Sequence, residues 1–123
     1  MSIDYVNKPF FKLKSDPAFA NIVSDILMPE ETIEASFKSM RDGVVFTDRR
    51  VIAVNVQGIT GSKKAFTSLP YKNIVAFSVE TAGTFDLDSE LEMHFSAIGR
   101  VKFDFKGAVD IKAISNLLSS YVF

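Results

Sequence analysis

The sequence is organised around residues 34–57, EASFKSMRDGVVFTDRRVIAVNVQ, which predict three β-strands joined by two tight turns. At the first turn, Asp42 and Gly43 favour a two-residue type I′ hairpin loop, because both residue types tolerate the positive φ angles that match strand twist. That loop would place Met40 opposite Val45. The stretch therefore predicts an antiparallel β-meander.

A second tight turn is predicted at Asp48-Arg49, which would place Phe46 opposite Val51. One face of the three strands would then carry Phe37, Val44, Phe46, Val51 and Ala53. The other face would carry Met40, Val45, Ile52, Val54 and Val56. An antiparallel sheet at a protein surface usually has one solvent-exposed polar face, whereas this sheet is apolar on both faces. We expect the second face to be covered by the N-terminal segment, by a second copy of the chain, or by both.

The composition limits the class of protein. With 123 residues, 47% of them hydrophobic and 24% charged, the chain fits a single structural domain. A net charge of −1 gives no bulk attraction to nucleic acid or to an anionic membrane. The absence of cysteine excludes disulfides, thiolate metal sites and a cysteine nucleophile, and it is compatible with a reducing cytoplasm. Because Lys8, Lys12 and Lys14 interrupt any apolar leader, we expect a cytoplasmic protein.

The N-terminal segment predicts one helix. Asp16 is a good N-cap and Pro17 suits the first helical position. The helix would run to about Leu27, stopped by Pro29. Its apolar stripe consists of Phe19, Ile22, Val23, Ile26 and Leu27. This stripe needs a partner, and the two-faced meander offers one. Residues 1–15 show no sustained periodicity and are interpreted as an arm.

Four more strands and a helix follow the meander. Gly58 and Gly61 predict a loop with positive φ angles. Strands are predicted over residues 65–69, 74–80, 90–95 and 100–106, with a turn containing Gly99 between the last two. Residues 108–121 predict an amphipathic helix with the stripe Ile111, Ile114, Leu118 and Tyr121. The sequence thus predicts seven strands and a C-terminal helix.

Several segments together resemble the bacterial pleckstrin-homology (PH) domain family over about residues 10–121. They are residues 41–42 (RD), 46–52 (FTDRRVI), 57–64 (QGITGSKK), 69–71 (LPY), 80–83 (ETAG) and 86–91 (DLDSEL). The resemblance implies a PH-like seven-stranded antiparallel barrel over residues 31–123, capped by the C-terminal α-helix, with residues 1–30 as an N-terminal helical extension. It also implies homo-oligomeric rings, and no established enzymatic activity, cofactor or ligand.

Lys63 and Lys64 are candidates for an anionic-lipid site, which would make the chain a peripheral membrane module. The predicted Asp42-Gly43 turn is too short to wrap a headgroup, and nearby aspartates offset the charge of the arginines. We therefore expect solvated or interface-paired lysines and no membrane partner.

The loop at residues 81–90 is a candidate site for a small ligand or a cation. Asp86, Asp88 and Glu90 alternate as oxygen donors do in a calcium loop. Leu91 and Ala97 occupy the positions where an EF-hand needs Gly and Glu, which excludes that motif. The alternative is that Asp86 or Asp88 caps turn amides or pairs across a subunit boundary.

The residues that could support catalysis are few. His94 is the only histidine, and Glu90 and Glu92, two residues apart, form a candidate acid–base pair. Lys102 and Asp104 would lie opposite these carboxylates, together with Lys106, so a cross-strand ion-pair lattice is favoured over an active site.

The sequence therefore predicts a non-enzymatic, self-assembling module that presents a surface to a protein partner, without metal, cofactor or nucleic acid. The candidate interaction residues are Ile52, Val54, Val56, Gln57, Lys63, Lys64, Glu80, Asp86 and Asp88.

Overall fold

The computed structural model describes residues 10–84 and 87–123. The strands in these residues are β1 (Phe10–Ser15), β2 (Ile33–Ser39), β3 (Asp42–Thr47), β4 (Arg50–Gln57), β5 (Lys63–Pro70), β6 (Ile74–Glu80), β7 (Ser89–Phe95) and β8 (Gly99–Phe105). Helix α1 spans Ile111–Val122, and 3₁₀ helices span Pro17–Ile26 and Tyr71–Asn73. The chain divides into two compact units. The first unit is Ser15–Pro70, and the second combines residues 10–14 with Tyr71–Phe123.

In the first unit the strands lie in the order β5-β4-β3-β2 and are antiparallel. The turn at Asp48-Arg49 is confirmed, because Phe46 pairs with Val51 and Val45 pairs with Ile52. Gly58 and Gly61 have φ angles of 80° and 70°, as predicted for the loop between β4 and β5.

The predicted first turn is wrong. Ser39 pairs with Asp42, so the turn consists of Met40 and Arg41, and Val45 faces Ser36 instead of Met40. The end of β4 holds this turn: the Asp42 carboxylate accepts a hydrogen bond from the Val56 N–H at 2.7 Å, and the Arg41 guanidinium donates to the Gly58 carbonyl. Because the pairing shifts by an even number of residues, the remaining apolar side chains keep their predicted faces.

Gly43 is needed for close packing and not for a turn. A Cβ at this position would lie 2.4 Å from a ring carbon of Phe19 and 2.4 Å from the carbonyl oxygen of Phe37. Both distances are far below van der Waals contact. The glycine therefore lets the Phe19 ring rest directly on the backbone of β3.

The Pro17–Ile26 helix covers the second face of the meander. The Asp16 carboxylate accepts from the Phe19 N–H at 3.2 Å, which confirms the predicted N-cap. The helix contributes two side chains to a buried cluster of Phe19, Val23, Val45, Ile52 and Val54. Burial of these side chains, at about 25 cal/mol per Å² of apolar surface, holds the helix on the sheet. The N-terminal segment is thus what covers this face.

In the second unit the strands lie in the order β1-β8-β7-β6. The side chains predicted to point inward are buried: Leu91, Met93, Phe95, Val101, Phe103 and Phe105. Strand β1 is an eighth strand that the sequence did not predict, and it pairs with β8 in parallel. An irregularity between Phe10 and Leu13, with a φ of 57° at Lys12, removes the alternation that would have revealed it.

Helix α1 packs against β6, β7 and the Tyr71–Asn73 turn. Its N-cap is Asp110, whose carboxylate accepts from the Ala113 N–H at 3.1 Å. Ile111, Ile114 and Leu118 are buried as predicted. Tyr121 is half-exposed and stacks on Tyr71 with ring centroids 5.8 Å apart. Neither α1 nor any other helix among the described residues is long and apolar enough to span a bilayer.

Candidate functional site

The candidate interaction residues on β4 divide into a buried pair and an accessible pair. Ile52 and Val54 are fully buried beneath the Pro17–Ile26 helix of the same chain. Val56 is half-buried at the margin of that cluster, and Gln57 is exposed. Ile52 and Val54 therefore belong to the core of the first unit, so a charge placed there tests folding and not assembly.

The charged candidates lie at two strand ends. Lys63 and Lys64 are exposed at the start of β5, opposite Gln57 and Val56. Glu80 is exposed at the end of β6, opposite Glu90. Within the described residues no ion pair joins these lysines or Glu80 to another group.

The candidate ligand loop is described only in part. Asp86 lies outside the described residues. The carboxylate of Asp88 accepts a hydrogen bond from the Gly107 N–H at 3.3 Å, which is the amide-capping alternative. Across residues 10–84 and 87–123, no group of three His, Cys, Asp or Glu side chains is placed to hold a metal ion.

The predicted ion-pair lattice joins β7 to β8. Lys102 lies 3.1 Å from Glu90, and Arg100 lies 3.3 Å from Glu92. The second cation is thus Arg100 and not the predicted Lys106. His94 also lies 3.7 Å from Glu92. The hydrogen bond from Lys102 to Glu90 raises the pKa of the lysine. Each carboxylate of the candidate acid–base pair therefore holds a cation of the neighbouring strand.

Asp104 completes this lattice from the β8 side, directly opposite Glu90. Burial raises the pKa of Asp104, and the nearby Glu90 carboxylate raises it further. Both effects disfavour the charged form of Asp104, whereas Lys102 opposes them. Lys102 and Arg100 thus connect β8 to the two carboxylates of β7.

The first unit contains a buried ion pair, between Glu31 and Arg50, that the sequence did not predict. The carboxylate of Glu31 accepts from Arg50 at 2.8 Å and 2.9 Å, in a bidentate pair. It also accepts from the Thr47 hydroxyl at 2.6 Å and from the Met28 N–H at 2.9 Å. One signal was available: Arg50 lies on the same strand face as Ile52 and Val54, and a charge on an apolar face needs a partner.

This network ties the end of the Pro17–Ile26 helix to the sheet. Arg50 donates to the Ile26 carbonyl at 2.9 Å and to the Ser68 hydroxyl at 2.8 Å. The hydrogen bond from Arg50 lowers the pKa of Glu31 to about 2, although burial acts in the opposite direction. The network thus joins the end of the helix to β3, β4 and β5 within the first unit.

A groove of about 370 Å³ lies beside β2 and the start of the Pro17–Ile26 helix. Its lining residues are Ser15, Pro17, Ala20, Ile33, Glu34, Ala35, Ser36 and Phe37. The Ser36 hydroxyl is buried without a hydrogen-bond partner among the described groups. This lining offers no cation to an anionic ligand and no histidine to activate the hydroxyl.

Large apolar side chains are exposed on the outermost strand of each unit. Phe66 on β5 is 37% exposed and Val75 on β6 is 68% exposed. On β6, Phe77 also contacts the exposed ring of Phe123, with centroids 5.9 Å apart. Large contiguous patches of exposed apolar surface mark interaction sites, whereas single exposed apolar residues are common. Phe66 and Val75 are therefore accessible on the two outer strands.

Comparison with protein families gives a match between residues 10–122 and the bacterial PH domain. The chain belongs to the bacterial PH domain family. YjqA of Bacillus subtilis (strain 168), an uncharacterised protein, is 47% identical over 108 residues, which cover 86% of each chain.

Two crystal structures of bacterial PH domains are similar to this chain. One, from Shewanella loihica PV-4, has a TM-score of 0.78 at 31% identity and covers 92% of this chain and 99% of that chain. The other, from Shewanella amazonensis SB2B, has a TM-score of 0.65 at 38% identity and covers 86% of each chain. The predicted PH-like fold, mainly β with a C-terminal helix, is confirmed. The predicted seven-stranded antiparallel barrel is not: the described residues form eight strands, β1 pairs with β8 in parallel, and no pairing between β5 and β6 closes a barrel.

Proposed function

We propose that this bacterial PH domain is a non-catalytic module that assembles with copies of itself and presents a repeated surface to a protein partner. One observation carries the proposal. Among the described residues, each unit ends in a strand that has one hydrogen-bonded neighbour and an exposed apolar side chain, Phe66 on β5 and Val75 on β6. The unpaired backbone N–H and C=O groups of an outer strand can pair with a strand of another chain.

The two outer strands differ in sequence, so contact between them joins unlike surfaces. Contacts of this type are heterologous, and they close into a ring when the rotation between copies allows it. Each copy of a ring shows the same surface in the same orientation. A protein partner with several attachment points would gain avidity from such an array.

The non-catalytic part of the proposal is supported by the ion-pair lattice. Glu90 and Glu92 hold Lys102 and Arg100 across the β7–β8 ladder. These side chains strengthen the sheet by cross-strand pairing. A catalytic pair would instead have to face a space that a substrate can enter.

Size-exclusion chromatography with light scattering tests the assembly. One chain has a mass of 13.6 kDa. The wild-type protein at micromolar concentration is expected to have a mass of two or more chains. Phe66→Asp and Val75→Asp are each expected to lower the measured mass, because each places a charge in the apolar contact.

Ile59→Asp is the matched control, because Ile59 is fully exposed at the tip of the loop between β4 and β5. This substitution introduces the same charge outside both outer strands and should leave the mass unchanged. A wild-type protein that runs at the mass of one chain would refute the assembly, whatever the variants do.

A second candidate function, binding to an anionic membrane, is favoured by a different surface. The Met40-Arg41 turn lies beside the loop that carries Ile59, because Arg41 donates to the Gly58 carbonyl. Met40 and Ile59 are almost completely exposed, and Lys63 follows the same loop. Projecting apolar side chains next to cations suit the boundary between headgroups and acyl chains.

Sedimentation with phosphatidylglycerol vesicles tests this second function. Binding of the wild-type protein at physiological salt that Ile59→Asp and Lys63→Glu each abolish would support it. Equal recovery of the wild-type protein in the supernatant with and without vesicles would exclude it.

A further inference from the structure

The groove beside β2 contains a buried hydroxyl group that the fold does not use. Its volume is about 370 Å³, and it lies where the Pro17–Ile26 helix begins. Ser36 lines the groove and is 6% exposed, and its hydroxyl has no hydrogen-bond partner among the described groups. Burying a hydroxyl without a hydrogen bond costs free energy, so the presence of this group requires an explanation such as a bound molecule.

The pairing of β2 with β3 determines where the Ser36 side chain lies. Ser36 is directly opposite Val45, which belongs to the apolar cluster beneath the helix. Opposite residues of an antiparallel pair share one face of the sheet. An alanine would fill this position without the cost of a buried hydroxyl, so packing does not explain the serine. The Ser36 carbonyl has a separate role, since it accepts from the Asp16 N–H at 3.0 Å and so fixes the start of the helix beside the groove.

The lining combines apolar and polar residues in the way that small-molecule sites do. Its buried part includes Ala20 and Phe37 together with Ser36. Its exposed part includes Glu34. The pairing of β2 with β3 shifts between Ile33 and Ala35, at the position of Glu34, and shifts of this kind often redirect a side chain. The volume is also within the range of sites that bind small organic molecules.

The polar groups of the lining favour a ligand that donates hydrogen bonds and carries a positive charge. Among the described residues of the lining, Glu34 is the one charged residue. A carboxylate accepts hydrogen bonds at about four positions and donates none. Glu34 can therefore accept from a ligand in addition to the interaction that it makes within the protein. An ammonium group matches these acceptors, because it has three donors and no acceptor.

An anionic ligand is disfavoured, although a helix begins at the groove. The start of a helix attracts negative charge. Here the Asp16 carboxylate of the chain itself accepts from the Phe19 N–H at 3.2 Å. A second anion would approach Asp16 and Glu34, and the described lining contains no lysine or arginine to offset their charge.

We infer that this groove binds a small organic ammonium ion. Glu34 and Ser36 accept hydrogen bonds from the charged group, and Ala20 and Ile33 contact the apolar part of the ion. The site lies apart from the outer strands β5 and β6, and binding at it does not depend on self-assembly.

Three probes of similar shape and different charge test the inference: n-butylammonium, n-butanol and butyrate. Each is titrated into the nitrogen-15-labelled full chain at pH 7, and the amide signals are followed by NMR. n-Butylammonium should cause saturable shifts of the Ala20 and Ala35 amides, with the millimolar dissociation constant expected of so small a ligand. n-Butanol should bind more weakly, and butyrate should leave these two signals unchanged.

Ser36→Ala removes the hydroxyl and keeps the apolar lining. It should weaken n-butylammonium binding by about tenfold, the effect of losing one hydrogen bond to a charged group. Without the probe, this variant should unfold at a higher urea concentration than the wild-type protein, because an unpartnered polar group has left the interior. A hydroxyl with a purely structural role would not combine these two effects.

Ser89→Ala is the matched control, because the Ser89 hydroxyl is also buried without a partner among the described groups but does not line the groove. This substitution should raise the stability and leave n-butylammonium binding unchanged. Glu34→Gln should weaken binding by about fivefold, the upper effect of an exposed charge pair. Glu30→Gln removes an exposed carboxylate outside the lining and should have no effect on binding.

Three results would overturn the inference. The first is the absence of saturable shifts at Ala20 and Ala35 with n-butylammonium. The second is equal affinity for n-butylammonium and n-butanol, which would show that the groove does not select a positive charge. The third is a Ser36→Ala variant that binds n-butylammonium as tightly as the wild-type protein does.

Discussion

Replacing Glu31 by alanine is expected to lower the free energy of unfolding by about 3 kcal/mol, the size of effect seen when a buried ion pair loses one partner. The carboxylate has hydrogen bonds from Arg50, Thr47 and Met28, and its side chain is fully buried. The substitution leaves the Arg50 guanidinium without its counter-ion, although its bonds to Ile26 and Ser68 remain. Urea unfolding at pH 7, followed by far-ultraviolet circular dichroism, measures the loss.

The same carboxylate makes stability depend on pH in a defined window. Its pKa is about 2 in the folded protein, against a reference value of 4.5. Because the unfolded chain binds the proton more tightly, the contribution of Glu31 is fully present above pH 4.5. It falls as the pH decreases and is lost once the pH passes below 2. The whole contribution amounts to about 3 kcal/mol at 1.36 kcal/mol per pKa unit.

Two glutamine variants separate this effect from general acid sensitivity. Glu31→Gln removes the titrating group, so its stability should vary less between pH 5 and pH 2.5 than that of the wild-type protein. Glu30→Gln changes the exposed neighbouring residue and should follow the wild-type profile. If Glu31→Gln and the wild-type protein lose stability equally on acidification, the network is not the source of the dependence.

The alternation of apolar residues was sufficient to predict the strands of this fold from β2 to β8. β7 and β8 have clean period-two patterns, and their inward residues are buried as predicted. The turn at Asp48-Arg49 was predicted correctly because the apolar residues on both sides fix the register. Strand β1 was missed because its irregular pairing and the positive φ of Lys12 remove the pattern.

The first turn shows where local sequence preference is overruled. An Asp-Gly dipeptide is a strong hairpin signal. Here Asp42 instead binds the Val56 amide, and Gly43 accepts the ring of Phe19. Val56 and Phe19 are both distant from this turn in sequence, so a rule based on neighbouring residues cannot predict these contacts. Met40 takes the turn position with a φ of 46°, although methionine is not a residue that favours it.

The interaction role of the candidate residues stays a prediction, and the structure adds how far each of the described ones is exposed. Lys63, Lys64 and Glu80 are exposed, as residues of an interaction surface must be. Ile52 and Val54 were chosen because the sequence showed an apolar face and left open what covers it. The Pro17–Ile26 helix covers this face because Phe19 and Val23 pack closely against the sheet. Phe19 can approach β3 this closely because Gly43 has no Cβ.

Gly43→Ala is expected to destabilise the protein by about 3 kcal/mol, because the added Cβ has no space on either side. It would lie 2.4 Å from the Phe19 ring and 2.4 Å from the Phe37 carbonyl oxygen. A side chain can rotate away, whereas the carbonyl belongs to the paired strand β2 and moves only with its backbone. Overpacking against fixed atoms costs about 1–3 kcal/mol, and here two contacts add to it.

A double-mutant cycle with Phe19→Ala shows which contact dominates. Phe19→Ala alone should cost about 3 kcal/mol, as for other buried phenylalanines. In that background Gly43→Ala should cost less than in the wild-type protein, but not zero, because the Phe37 carbonyl remains. Gly58→Ala is the control: its φ is 80° and its Cβ would meet no atom within 4 Å, so it should cost only about 1 kcal/mol of backbone strain. A Gly43→Ala variant no less stable than Gly58→Ala would show that the helix docks without the close approach at Gly43, and the covering of the second face would then need another explanation.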